Sequence, residues 1–139
     1  FVWDRDGRTV VSTPPLTGTI LEGVTRDSLL AVAADAVAEG SSSTGGAWLD
    51  QVVVEPTSIE HLRAGAQHAT LLEAFACGTA AVIAPIGAFV DGEQVLVIGD
   101  GQPGPVTMEL RRRLLDVQYG RAEDRHGWVV RVDPGAGRP

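Results

Sequence analysis

Asp-Gly dipeptides beside short apolar runs, at Asp6-Gly7 and Asp91-Gly92, limit what this chain can fold into. Asp6-Gly7 stands between the short runs Phe1–Trp3 and Arg8–Ser12, and Asp91-Gly92 precedes the run Gln94–Ile98. Asp-Gly between such runs favours a tight turn, because the twist of two antiparallel strands asks for positive φ at the turn, which these residues tolerate. Hairpins are therefore expected at both places. Leu29, Leu30, Val32, Ala33, Ala36 and Val37 recur at roughly helical spacing and stop at Gly40. Hairpins mixed irregularly with helices predict an α+β (mixed α/β) fold.

The remaining segments fill in this outline. Thr25 is a good N-cap for the first helix, with Asp27 in its first turn. Gln51–Glu55 is a β-branched run and reads as a strand. Thr57-Ser58-Ile59-Glu60 fits a capping box, opening a short helix through Arg63 that ends near Gly65. Thr70–Cys77 reads as a second short helix stopped by Gly78, and Ala80–Ile86 as a buried strand. A long helix is expected from Val106 to Tyr119, with Gly120 as its stop. The segment Thr13–Thr19 is irregular, since two prolines remove donors. Ser41–Gly46 is a flexible loop by composition. Residues 1–134 are expected to form one domain, with 135–139 as a frayed tail.

Composition narrows the partners. The chain has 139 residues, 44% of them hydrophobic, enough for a modest core, and its net charge of -7 argues against nucleic acid and against an anionic membrane surface. No apolar run approaches the roughly 20 residues of a membrane helix. The lone Cys77 makes no internal disulfide and suits a reducing cytoplasm. The sequence opens without Met, as if already within a strand, and is expected to begin inside a longer reading frame. All 11 basic residues are Arg. With no lysine, the chain cannot form a lysine Schiff base with an aldehyde cofactor.

Two segments are candidate anion sites. Gly23-Val24-Thr25 opens a helix, where unpaired N–H groups and the helix dipole favour a phosphate. Cys77-Gly78-Thr79-Ala80 is a small-residue turn whose N–H groups can form a nest for a carboxylate or phosphate. Taken alone, each segment reads first as an ordinary cap or tight turn. Cys77 as a nucleophile lacks a sequence-adjacent partner. His61, His68 and His126 show no metal-ligand spacing. Arg111-Arg112-Arg113 is read as a solvated helix face, and Glu73 as a surface or helix-end carboxylate.

Read together, these motifs are specific. Thr13-Pro-Pro-Leu-Thr-Gly-Thr-Ile-Leu-Glu-Gly-Val-Thr-Arg26 with Asp27-Ser-Leu-Leu30 resembles a segment of the branched-chain aminotransferases. Glu73-Ala-Phe-Ala-Cys-Gly-Thr-Ala-Ala-Val82 resembles that family's second active-site loop. Gly104-Pro-Val-Thr-Met108 and Glu123-Asp-Arg-His-Gly-Trp128 resemble its C-terminal helix and tail. The resemblance covers nearly the whole chain.

It implies an incomplete C-terminal pseudobarrel domain of a fold type IV enzyme that uses pyridoxal 5'-phosphate, dimeric when whole. The reaction implied moves the amino group of leucine, isoleucine or valine to 2-oxoglutarate. On this reading Gly23, Val24, Thr25 and Thr79 hold the cofactor phosphate, and Gly78, Thr79 and Ala80 the substrate carboxylate. The family's lysine, its pyridine-pairing glutamate and a phosphate-binding arginine lie in segments that this sequence lacks. The chain alone is therefore expected to be inactive, with no catalytic residue of its own. Ala81 and Ala84 replace the redox cysteine pair of some relatives. Rival readings are a D-amino-acid aminotransferase or an aminodeoxychorismate lyase-like fragment, or a non-catalytic remnant that binds anions or a partner.

Overall fold

A computed structural model describes residues 1–18, 20–40 and 48–132. Seven strands and three helices follow one another as β1 (Val2–Arg5), β2 (Arg8–Thr13), α1 (Val24–Ala38), β3 (Gln51–Val54), α2 (Ile59–Gln67), β4 (Leu71–Gly78), β5 (Val82–Ile86), β6 (Ala88–Asp91), β7 (Gln94–Val97) and α3 (Pro105–Gln118) among the described residues. The α+β expectation holds. The expected loop at 41–46 and frayed tail at 135–139 lie outside the described residues.

Both Asp-Gly hairpins form. Asp6 and Gly7 take φ of +56° and +78°, and Arg5 stands opposite Arg8. At the second hairpin Asp91 pairs with Gln94, with Gly92 at φ +62°. The first hairpin enters a five-stranded sheet ordered β3-β2-β1-β4-β5; the second is a separate two-stranded sheet. Within the larger sheet only the β2–β3 pairing is parallel.

Side-chain alternation along β1 and β2 divides the core. Val2 and Val11 point to one face, where Leu29, Val32 and Ala36 of α1 meet Leu110 and Leu114 of α3. Trp3 and Val10 point to the other, with Leu62 of α2, Leu71, Ala74 and Ile98. A strand alternates at every residue, so consecutive apolar residues in β1 and β2 mean a sheet covered on both sides. Leu71, Leu110 and Leu114 are each 1% exposed, and burying each such side chain contributes roughly 1.5–3 kcal/mol.

Several expectations change. Residues 71–78 are strand, not helix: β4 pairs with β1 at one end and with β5 along the rest. Ala, Leu and Glu there are good helix formers, but pairing on both sides outweighs intrinsic preference. The cap of α1 is Gly23 rather than Thr25, which is the second residue of the helix. The cap of α2 is Ser58 rather than Thr57: its Oγ accepts the N–H of His61 at 3.1 Å. That helix also runs through Gly65 to Gln67, because the glycine lies against Trp3 and side-chain bulk there would collide with the ring.

Candidate anion site at the start of α1 and the β4–β5 turn

Gly23 is extended and gives α1 no side-chain cap. The first helical bond at this end runs from Asp27 N–H to Gly23 C=O at 3.1 Å. The N–H groups of Val24, Thr25 and Arg26 therefore have no backbone acceptor among the described residues. Val24 is 82% exposed, so this helix start faces open space. Arg26, absent from the sequence-based candidates, ties the irregular segment to the helix. Its Nε donates to Thr13 Oγ1 at 3.1 Å and its Nη2 to the Pro14 carbonyl at 2.8 Å.

The second candidate segment is the β4–β5 turn. Gly78 pairs with Val82, leaving Thr79, Ala80 and Ala81 as the loop. Thr79 and Ala80 are exposed. A Cβ built on Gly78 would meet nothing within 4 Å, so no protein contact requires glycine here and space beside the strand is open. Val82 has φ +58°, a left-handed conformation that costs a non-glycine residue about 1–2 kcal/mol. A β-branched residue there marks a turn held by its surroundings, a feature with no sequence signal.

One pocket adjoins both segments. Arg26, next to Thr25, and Cys77, next to Gly78, line one pocket of about 100 Å³ with Thr13, Leu29, Phe75 and Leu110. Thr25 and Thr79 stand beside these lining residues and do not themselves line it. Cys77 is exposed as a residue, yet desolvation pushes its thiol above the ordinary range, against the opposing pull of Arg26. A raised thiol pKa disfavours the thiolate that nucleophilic chemistry needs.

Glu73 is not a surface carboxylate. It is 7% exposed, and its Oε1 and Oε2 accept the N–H groups of Val106 at 3.0 Å and Thr107 at 2.7 Å. With both oxygens bound to the start of α3, it is a cross-fold helix cap rather than an acid or base. No local pattern reveals this, since the partners are 33 and 34 residues away.

Most of the other charged residues singled out in the sequence are occupied within the chain. Arg112 binds Glu109 and Asp116, and Arg113 binds Glu109 and Glu39. Arg113 also lies 4.9 Å from the Trp48 ring centre. The segment after α3 returns to α1: Arg125 binds Glu39, and His126 Nε2 lies 2.8 Å from Asp35. His61 stacks on Trp3, and His68 Nδ1 lies 2.8 Å from the Ala64 carbonyl. No helix among the described residues is long and apolar enough to cross a membrane.

Comparison with known proteins gives this geometry a family context. No family model matches the sequence. A probable branched-chain-amino-acid aminotransferase of Streptomyces coelicolor is 42% identical over 119 residues, covering 86% of this chain and 30% of that protein. The branched-chain-amino-acid aminotransferase of Mycolicibacterium smegmatis is 39% identical over 133 residues, covering 96% of this chain and 33% of its own length. The Escherichia coli enzyme's crystal structure superposes with a TM-score of 0.63 at 31% identity, over 91% of this chain and 34% of that one. Over nearly its whole length this chain is similar to a C-terminal portion of branched-chain-amino-acid aminotransferases. It spans about a third of the length of the curated relatives it matches. Its fold is the corresponding part of the fold type IV architecture.

Proposed function

We propose that this chain supplies the phosphate grip and part of the substrate-carboxylate site of a pyridoxal-phosphate-dependent branched-chain-amino-acid aminotransferase. The observation that supports the reading is a shared pocket: Arg26, beside the unpaired N–H groups opening α1, and Cys77, beside the β4–β5 turn, both line it. The residues fit the anionic half of such a cofactor. Gly23 brings no side chain to the helix start, Val24 and Thr25 offer backbone N–H groups there, and Thr79 offers a hydroxyl. A helix N-terminus favours a dianion through its dipole as well as its donors. Gly78, Thr79 and Ala80 would hold the substrate carboxylate in the open space beside β4.

When bound, the coenzyme's aldehyde and ring carry the amino group and the electrons of transamination. This chain's contribution is placement: binding one anion at a fixed helix start and another at a fixed turn, so that the reacting atoms are oriented. It has no lysine to capture the aldehyde or move the proton. The whole enzyme would act on leucine, isoleucine or valine with 2-oxoglutarate, as a homodimer in the cytoplasm.

The test has two parts. Titrating the purified chain with pyridoxal phosphate should shift the backbone amide resonances of Val24, Thr25 and Thr79. The same chain with leucine, 2-oxoglutarate and coenzyme should show no turnover and no lysine-aldehyde absorption in the visible. Enzyme-like turnover would overturn the claim that the chain is inactive alone. Amide resonances that stay put at saturating coenzyme would overturn the phosphate grip.

A further inference from the structure

The sheet changes hands at Glu73. On its β1 side β4 is paired only at Leu71 and Glu73, with the register shifting between Val2 and Trp3. On its β5 side pairing begins at Ala74 and continues to Gly78. The β4–β5 hairpin therefore runs on past β1 from residue 73 as an arm of the sheet, packed on α1 and α3, and carries the Thr79 turn at its tip. Packing of Phe75, Val82 and Ile83 against the core holds the arm down, and a fixed root sets where along the core it lies.

That root is bound to α3. Pro105, the first residue of α3, has no N–H to give. The next two donors, from Val106 and Thr107, both go to the Glu73 carboxylate. The backbone is shaped to admit this carboxylate: a Cβ on Gly104 would fall 2.0 Å from Glu73 Cδ and 2.3 Å from Oε1. A buried charge bonded by two N–H groups at a helix start gains from both the bonds and the dipole. It loses both if the strand moves.

We infer that Glu73 is a positioning residue: by fastening the root of the β4–β5 arm to the start of α3, it sets where the Gly78–Ala80 turn stands relative to the start of α1, and so governs affinity for a ligand gripped between them. This rests on the phosphate-grip reading above. Glu73 touches no ligand and acts only through the strand that it anchors.

Glu73→Gln tests this, because the amide keeps the size and one acceptor but presents an NH₂ where the second backbone N–H points. Pyridoxal phosphate affinity of the full chain should fall roughly tenfold, the scale on which a supporting contact controls a binding group. Thr107→Val is the control. Its buried hydroxyl has no partner and its N–H is retained, so affinity should hold. A readout on the unaltered chain avoids dependence on folding of the variant. Coupling between two places is reciprocal, so saturating coenzyme should slow hydrogen exchange at the Val106 and Thr107 amides. Binding by wild type with unchanged affinity in Glu73→Gln, or with unchanged exchange at those two amides, would overturn the positioning role alone. Absence of binding by wild type would overturn the phosphate grip and this role with it.

Discussion

Gly65 of α2 lies flat against Trp3: a Cβ at position 65 would come within 2.4 Å of Trp3 Cζ3 and 3.0 Å of Leu71 Cβ. The ring cannot easily retreat. It is 2% exposed, and its Nε1 donates to the buried Ser12 Oγ at 2.8 Å. Gly65→Ala should therefore destabilise the chain by about 1–3 kcal/mol through overpacking, even though alanine favours a helix interior by roughly 1 kcal/mol. Urea denaturation followed by tryptophan fluorescence measures the balance. An equal or higher midpoint would mean that helix preference outweighs the contact.

Just past the C-terminus of α2, the opposite change is expected. Ala69 holds φ +56° just after the helix. The N–H of Thr70 reaches the Gly65 carbonyl at 2.8 Å, and that of Ala69 reaches Ala66 at 3.3 Å. This bonding pattern closes a helix best with glycine in the left-handed position. Ala69→Gly should raise stability by about 1 kcal/mol by removing the Cβ penalty. A lowered thermal midpoint would contradict it.

Acid should loosen the segment that follows α3. Hydrogen bonding from Arg113, aided by the charges of Arg113 and Arg125, holds the Glu39 carboxyl below its ordinary range. Bonding from Arg112 does the same for Glu109, and bonding from Arg121 for Asp116. A carboxylate depressed in the folded state adds stability that is complete above its unfolded pKa, about 4.3 for Glu. That stability is lost as pH falls through the lower folded value. Trp128, stacked on His126, should change its fluorescence in this acid window before the core unfolds. Glu39→Gln should produce the change at neutral pH. One cooperative transition shared by all probes would count against separate release.

Cys77 should react slowly. Because desolvation raises its thiol pKa, the thiolate fraction at neutral pH is below that of a free cysteine. Alkylation by iodoacetamide at pH 7 should lag behind that of a small thiol and recover as pH rises. A rate equal to or above the free thiol would show that Arg26 dominates the sulfur's surroundings.

Local chemistry made some of this molecule legible before any coordinates. Asp6-Gly7 and Asp91-Gly92 announce their hairpins because a two-residue turn is decided locally, by Asp6 and Gly7 in the first and by Gly92 and Glu93 in the second, where Asp91 closes β6. Gly40 and Gly120 likewise mark the ends of α1 and α3, where they take φ of +65° and +67°. Leu71–Gly78 was illegible, because a short apolar run has the same pattern in a buried strand as in a helix. Its identity is decided by β1 and β5, which lie elsewhere in the sequence. The candidate site divides in the same way. The helix start at Val24 and the turn at Thr79 are local motifs, whereas Arg26 binding Thr13 and Glu73 capping α3 are meetings of distant segments. The strain at Val82 has no composition to announce it.

The placement of β1 has a consequence for the order of assembly. Its neighbours are β2, one turn away, and β4, met through Val2 opposite Glu73. The first hairpin can close almost at once, but β1 keeps a bare flank until some seventy further residues have been made and α2 has swung β4 into place. Closing so long a loop is slow compared with forming a hairpin. During synthesis that uncovered flank is the place where a nascent chain is most open to pairing with the wrong strand, its own or another's.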